Sequence, residues 1–241
     1  MLHVTLPDMA RPRRLVFYLA MEEYLAQHCT CDMLFTWRVE PTVIFGRHQV
    51  MADEVNIDFC RANGIQMYRR KSGGGCVYAD RGNIMVSYIT PDVHADKVFQ
   101  WYLDTMSGVL RSMGFAAAKS EHNDVLIADR KVSGNACYTL PTGTIVHGTM
   151  LYDVDFAALQ QAITPSREKL SKHGVQSVRQ RVVNIKELLD EQSPWRTVEA
   201  FDDALVAAFC DETMCLDDAQ VSAISAIEQT YLQPDFISGK D

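Results

Sequence analysis

The stretch Arg69-Arg70-Lys71-Ser72-Gly73-Gly74-Gly75-Cys76 constrains this chain more than any other. Glycine in a run costs backbone entropy on folding and packs nothing. Three in a row persist where the backbone must turn unusually or approach something closely. The flanks, Ile65-Gln66-Met67-Tyr68 and Val77-Tyr78, read as strand. A mobile hairpin loop with solvated charges satisfies that pattern. So does an anion site, because two arginines and a lysine stand at the mouth. Glycines let backbone N–H groups close on a phosphate, and Arg adds a planar fork of donors.

The rest of the chain sets the frame. Residues 15–28 read as a helix with Phe17, Met21, Tyr24, Leu25 and His28 on one face. Residues 34–39 and 42–45 read as strands separated by Pro41, and 57–62 as a short helix closed by Asn63-Gly64. Strands are predicted at 65–70, 76–79 and 83–90. The clearest helix is 95–113, with Val98, Trp101, Tyr102, Thr105 and Val109 as its stripe, widened by Met106, Leu110 and Met113. A tight hairpin joins 125–127 to 131–133 through Ala128-Asp129-Arg130, and 145–152 reads as another strand. Helical patterns recur at 156–163 and twice after residue 197. Strands with short connections predict a mixed, mainly antiparallel sheet flanked by helices, an α+β class. Neither GxGxxG nor GxxxxGK[ST] occurs.

Composition narrows the function. Net charge is −8, from 31 acidic and 23 basic residues, which argues against a general nucleic-acid binder. No apolar run approaches the roughly 20 residues that span a bilayer. The N-terminus lacks a basic segment followed by an apolar one. The expectation is a cytoplasmic protein without membrane attachment. Its seven cysteines are scattered, with no CxxC, and Cys29-Thr30-Cys31 is too close for a zinc pair. Free thiols in a reducing compartment are expected.

Four more stretches carry polar chemistry in apolar settings: Gly46-Arg47-His48-Gln49, His122-Asn123-Asp124, Arg130 to Asn135, and His147-Gly148-Thr149. Singly, each has a structural reading. His147 reads as a bonded core histidine, Asn123-Asp124 as a turn pair, Lys131 as a solvated hairpin lysine, and Ser133-Gly134-Asn135 as a turn or bulge.

Together they resemble a known family. RRKSGGGCVYADRGN is similar to the RRxSGGGAVYHDxGN loop of lipoate–protein ligases. ADRKVSGNA resembles the segment bearing that family's catalytic lysine, and HGTMLYDVD its HGTLL strand. PTVIFGRHQ resembles an early strand, and KLSKHGVQSVRQRVVNI the SVRxRVxNL segment. These fall in the family's order across about residues 15–187. The resemblance implies a biotin-ligase-like and class II aminoacyl-tRNA synthetase-like sheet. It implies ATP and Mg²⁺ as cofactors, lipoate as substrate, and lipoyl-AMP as intermediate. Acceptors would be lipoyl domains of 2-oxoacid dehydrogenase E2 subunits or the glycine cleavage H protein.

By that resemblance Lys131 is the catalytic residue. Arg70, Ser72, Gly73, Gly74, Gly75, Cys76, Val77 and Tyr78 would wrap the adenylate, with Arg70 pairing a carboxylate or phosphate. Asn83, Asn123, Asp124, Ser133 and His147 complete the pocket, Asp124 as the one metal candidate. Val43 and Val77 would line the tunnel for the acyl tail.

Departures are visible too. Ala79 stands where the family usually has His, Cys76 replaces alanine, and Arg81 an apolar residue. The expected organisation is one catalytic domain over 1–241, with a core at about 15–187 and a helical extension at about 188–241. The family's C-terminal accessory domain is absent from it, so a separate accessory subunit enters as a possible partner. The alternatives are an octanoyl or lipoyl transferase without ATP, which uses a cysteine, or the transfer half of a two-subunit ligase. Cys137 is the only cysteine near Lys131.

Overall fold

The computed structural model describes residues 1–163 and 181–239. Strand β1 (Leu2–Thr5) leads into helix α1 (Leu15–His28). Strands β2 (Met33–Trp37) and β3 (Thr42–Phe45) follow, then short helices α2 (Met51–Glu54) and α3 (Ile57–Ala62). Next are β4 (Gln66–Arg69), β5 (Val77–Ala79), β6 (Asn83–Thr90) and helix α4 (Ala95–Ser112). Four strands come next: β7 (Ala117–Lys119), β8 (Asp124–Ile127), β9 (Arg130–Leu140) and β10 (Gly143–Leu151). Helix α5 (Phe156–Ala162) precedes a 3-10 turn at Ile185–Leu188. The tail adds α6 (Val198–Phe209), β11 (Glu212–Cys215), α7 (Asp218–Tyr231) and α8 (Pro234–Ser238).

Eight strands form one sheet in the order β11-β1-β2-β6-β10-β9-β8-β7. Only β1 pairs in parallel, with β11 and β2; the other ladders are antiparallel. A second sheet, β4-β3-β5, carries the glycine loop between β4 and β5. The sheets are mixed and mainly antiparallel with helices around them, as expected.

Alternation along each strand sorts side chains into layers. On β10, Ile145 joins the core under α1 and α7, while Val146 and Met150 join the core under α4 and α6. On β3, Ile44 faces the α1 core, while Val43 and Phe45 enter a third core closed by α3 and α5. Val43 is fully buried there.

Other expectations need correction. The buried face of α4 is Val98, Tyr102, Leu103, Met106 and Leu110, whereas Trp101 is exposed. The stripe was centred about one residue off, because an 18-residue helix carries apolar residues beyond its packed face. The β8–β9 turn is Ala128-Asp129 alone, with φ of 49° and 60°. Ser133-Gly134-Asn135 is strand, and β9 runs on to Leu140. The register shift puts the extra residue on β9 itself, at Val132, since Val125 pairs with Ser133 and Leu126 with Lys131. On α1, His28 is exposed and Glu22 is buried. The tail is not purely helical, since β11 completes one edge of the main sheet. Most of the SVRxRVxNL-like segment lies outside the described residues. Among the described residues, no helix is long and apolar enough to cross a membrane.

Two successive non-glycine residues at positive φ strain the β8–β9 turn, since each L-residue in the left-handed region costs about 1–2 kcal/mol. Ala128→Gly is expected to stabilise the protein by about 0.5–1 kcal/mol in urea unfolding. A loss of stability would contradict the left-handed backbone.

Candidate active site

The glycine loop is built around a guanidinium. Arg70 is 5% exposed. Its Nη2 donates to the carbonyls of Gly73 and Gly75, each at 2.7 Å. Its Nε donates to Ser72 Oγ at 3.0 Å and Gly73 O at 3.1 Å, and Nη1 to Ile44 O at 3.3 Å. Burial pushes its pKa down to about 10, so it stays charged at neutral pH. Arg70 is expected to meet an anion; in the structure its hydrogen bonds go to its own loop and to Ile44 O on β3. A planar trans peptide sets C=O and N–H on opposite sides. Turning the Gly73 carbonyl toward Arg70 therefore turns the Gly74 N–H away from it. This is how a loop can present donors to an anion while its acceptors are satisfied internally.

Two glycines are demanded by geometry. Gly74 has φ +89°, and a Cβ on Gly46 would lie 2.2 Å from the Gly74 carbonyl oxygen. Gly46 thus lets the turn after β3 sit directly against the loop. That turn closes on itself, with Gly46 N donating to Gln49 Oε1 at 2.8 Å.

The two flanking cations point elsewhere. Arg69 Nη1 donates to the carbonyls of Arg47 (2.7 Å) and Gln49 (2.8 Å), and its Nε to Ile237 O on α8 (3.1 Å). Lys71 Nζ pairs with Glu23 Oε2 at 2.6 Å and lies 4.7 Å from the centre of the Tyr231 ring. So Arg69 and Lys71 fasten the loop's base to α1, α7 and α8.

The second half of the site comes from β9 and β10. Their register pairs Ala136 with His147 and Gly134 with Thr149. By alternation these residues share the sheet face that α1 covers. A Cβ on Gly134 would lie 2.5 Å from Lys131 Nζ, so the lysine head occupies the space that a side chain would fill. A Cβ on Gly74 would reach 4.0 Å from Ala136 Cβ. Lys131 and the glycine loop therefore converge over Gly134 and Ala136. Asp124 Oδ1 holds Lys131 Nζ at 2.7 Å, and this oxygen is buried without an aligned hydrogen bond.

Asn123 acts as a clip: its amide donates to Asn135 O at 2.8 Å, and the Asn135 amide donates to Asn123 O at 3.0 Å. Ser133 turns to the opposite face and donates to Asn135 Oδ1 at 3.2 Å. Ser72 Oγ meets His147 Nε2 at 2.8 Å, which pins the loop to β10. His147 Nδ1 in turn meets Glu22 Oε2 at 2.8 Å. Glu22, with its neighbours Ser87 and Trp37, escaped the sequence reading. The available signal was an acidic pair inside an otherwise apolar helix.

Not every candidate gathers here. Tyr78 is buried in the third core, and Asn83 is fully buried behind the turn after β5, its amide 3.5 Å from Tyr78 O. Val77 packs against the α1 core, and Cys76 against the third core. Cys137 packs on the α4 side, the far face from Lys131's head, and burial raises its thiol pKa. That is a poor setting for a nucleophilic thiolate. Among the described residues, no group of three or more His, Cys, Asp or Glu could hold a metal ion.

Residues 15–210 match the family described as Lipoyl protein ligase A/B catalytic domain. A lipoate-protein ligase of Bacillus subtilis is 34% identical over 178 residues, 72% of this chain and 54% of that protein. The chain thus spans about half the length of the curated relatives it matches. A chain described with a bi-partite lipoate protein ligase and its E2 lipoyl domain from Thermoplasma acidophilum aligns at TM-score 0.84. It is 25% identical and covers 99% of this chain and 96% of its own. A lipoate-protein ligase A bound with ATP shares the fold at TM-score 0.83 and 23% identity, with coverage of 99% and 98%.

The glycines can be told apart by substitution. Gly46→Ala would force backbone against backbone and should cost about 1–3 kcal/mol in urea unfolding. Gly73→Ala meets nothing within 4 Å and should stay within about 0.5 kcal/mol of the parent. Equal effects would contradict the loop geometry.

Proposed function

The chain belongs to the lipoyl protein ligase A/B catalytic domain family, and from that membership we propose that it is a lipoate–protein ligase. It activates lipoate with ATP to lipoyl-AMP and passes the lipoyl group to a lysine of a lipoyl domain. The observation that carries this reading is the convergence of the Lys131 head and the Arg70-built glycine loop on one face of β9.

In the first step a carboxylate oxygen of lipoate bonds to the α-phosphorus of ATP, and the bond to pyrophosphate breaks. Two anions must meet, so the site has to supply positive potential. The outward N–H groups of the glycine loop and the Lys131 ammonium supply it. Mg²⁺ takes one or two carboxylates and completes its shell with phosphate and water. Asp124, with its buried and unaligned oxygen, would be the protein's contribution, and the ion would neutralise triphosphate charge.

In the second step the acceptor lysine's neutral amine attacks the mixed anhydride carbonyl. The C–N bond forms, the C–O bond to AMP breaks, and the amine gives up a proton. Lys131 offsets charge on the carbonyl oxygen and on the departing phosphate. Asp124 aims it, and Gly134 leaves room for it.

The single catalytic unit is residues 1–241, and its acceptors are lipoyl domains. The Thermoplasma acidophilum relative is described as bi-partite. An accessory subunit is therefore a candidate partner for the adenylation step. A cysteine-dependent transferase finds no support at Cys137, whose thiol is half-buried on the opposite face.

The test separates the two steps. Purified chain, lipoyl domain and supplied lipoyl-AMP should give a lipoylated domain by mass spectrometry. Lys131→Ala should lower that rate by about 10²–10³ with an unchanged melting temperature. No transfer by the parent chain, or near-normal transfer by Lys131→Ala, would sink the reading.

A further inference from the structure

A buried chain of polar contacts runs from β2 to the glycine loop. Trp37 Nε1 lies 2.9 Å from Ser87 Oγ, and Ser87 Oγ lies 2.5 Å from Glu22 Oε1. Glu22 Oε2 lies 2.8 Å from His147 Nδ1, and His147 Nε2 lies 2.8 Å from Ser72 Oγ. Arg70 Nε completes it at 3.0 Å from Ser72 Oγ. Glu22 and Ser72 are each 2% exposed, and Ser87 is fully buried.

The direction of every bond in this chain follows from its two ends. An indole N–H and a guanidinium can only donate. Ser87 accepts from Trp37, so its own proton goes to Glu22 Oε1. Ser72 accepts from Arg70, and among the contacts of its oxygen only His147 Nε2 can take its proton, so the hydroxyl donates there. That nitrogen is therefore the acceptor of the ring, and the hydrogen sits on Nδ1, facing Glu22 Oε2. Both arms run toward a single carboxylate, the only group in the chain that accepts from both sides.

We propose that Glu22 is a positioning residue for the acyl-transfer site. It fixes His147 as the Nδ1–H tautomer, and through it commits the Ser72 hydroxyl and holds the glycine loop against β10. The proposal rests on the functional reading above for its effect on rate, but not for the tautomer. Hydroxyl, imidazole and carboxylate stand here in the order of a nucleophilic triad. Ser72 is nonetheless the loop's anchor: it is closed from solvent, and its oxygen already receives Arg70. The chain is a brace whose bond directions matter, and displacements of about 1 Å in such supports can cost about 10²-fold in rate.

Glu22→Gln tests this while keeping shape. The amide offers one acceptor where the carboxylate offered two, and its NH₂ must face either Ser87 or His147. The ring responds by moving its hydrogen to Nε2, which leaves the Ser72 hydroxyl without its acceptor. Ring ¹⁵N NMR is recorded on the protein without substrates, with His147 assigned from its loss in His147→Gln. The parent should show Nδ1–H, and Glu22→Gln should show Nε2–H. Transfer from supplied lipoyl-AMP should fall about 10- to 100-fold in kcat, with KM for the lipoyl domain little changed.

Ser87→Ala added to Glu22→Gln empties one side, so the amide can turn its oxygen to the ring. The double variant should regain the Nδ1–H tautomer and part of the lost rate. A merely structural Glu22 would make the double variant worse than either single one. An Nε2–H ring in the parent protein overturns the proposal, whatever the variants do. So does Glu22→Gln with unchanged tautomer and unchanged kcat. A parent chain that shows Nδ1–H but transfers nothing leaves the brace standing and removes the ligase reading instead.

Discussion

A guanidinium taken out of water must be surrounded by acceptors, and Arg70 finds them in the backbone of its own loop. The bonds to Gly73, Gly75, Ile44 and Ser72 leave it 5% exposed and still charged. Much else in the site follows from that choice. Carbonyls drawn inward turn neighbouring N–H groups outward. The tight wrap needs left-handed backbone at Gly74, and the wall behind it needs Gly46 without a side chain. Removing the guanidinium would take this donor from the carbonyls of Gly73, Gly75 and Ile44, of which the bond to Ile44 is buried. The three cations in a row thus have three jobs, of which only the middle one builds the loop.

The large sheet brings the second functional group to this loop. A hairpin register alone sets Gly134 opposite Thr149 and Ala136 opposite His147. A one-residue slip would send them to the α4 side. The missing side chain at Gly134 gives Lys131 its place, and Asp124 on the neighbouring strand keeps it there. The amide clip between Asn123 and Asn135 locks β9 to the segment before β8. Among the described residues, positioning thus comes from strands with fixed register.

Much of this was legible in the sequence where the signal is local. Glycine runs, caps and strong periodicity located α1, α3, α4, β6 and the loop itself. The ordered motifs pointed to Lys131, Asp124 and Asn123, and these three do lie together. Non-local structure was not legible. Strands β1 and β11 are four residues each, and their partners lie some 210 positions apart in the chain. Ser133-Gly134-Asn135 in β9 are weak strand formers held by ladders on both sides. Strand residues look alike in sequence, and the core that Val43 packs into is set by alternation along β3. Glu22 was overlooked because a carboxylate in a helix normally marks the solvent face. It is buried because a hydroxyl and an imidazole share it as their acceptor.

The central claim is that the Arg70-built loop is the adenylate cradle. It is tested most directly by amide hydrogen exchange on the chain with and without a non-hydrolysable lipoyl-AMP analogue. Slowed exchange is expected across residues 72–77 and around Lys131, with little change at the β1–β11 edge. Tight binding of the analogue with exchange in that loop unaltered would contradict it.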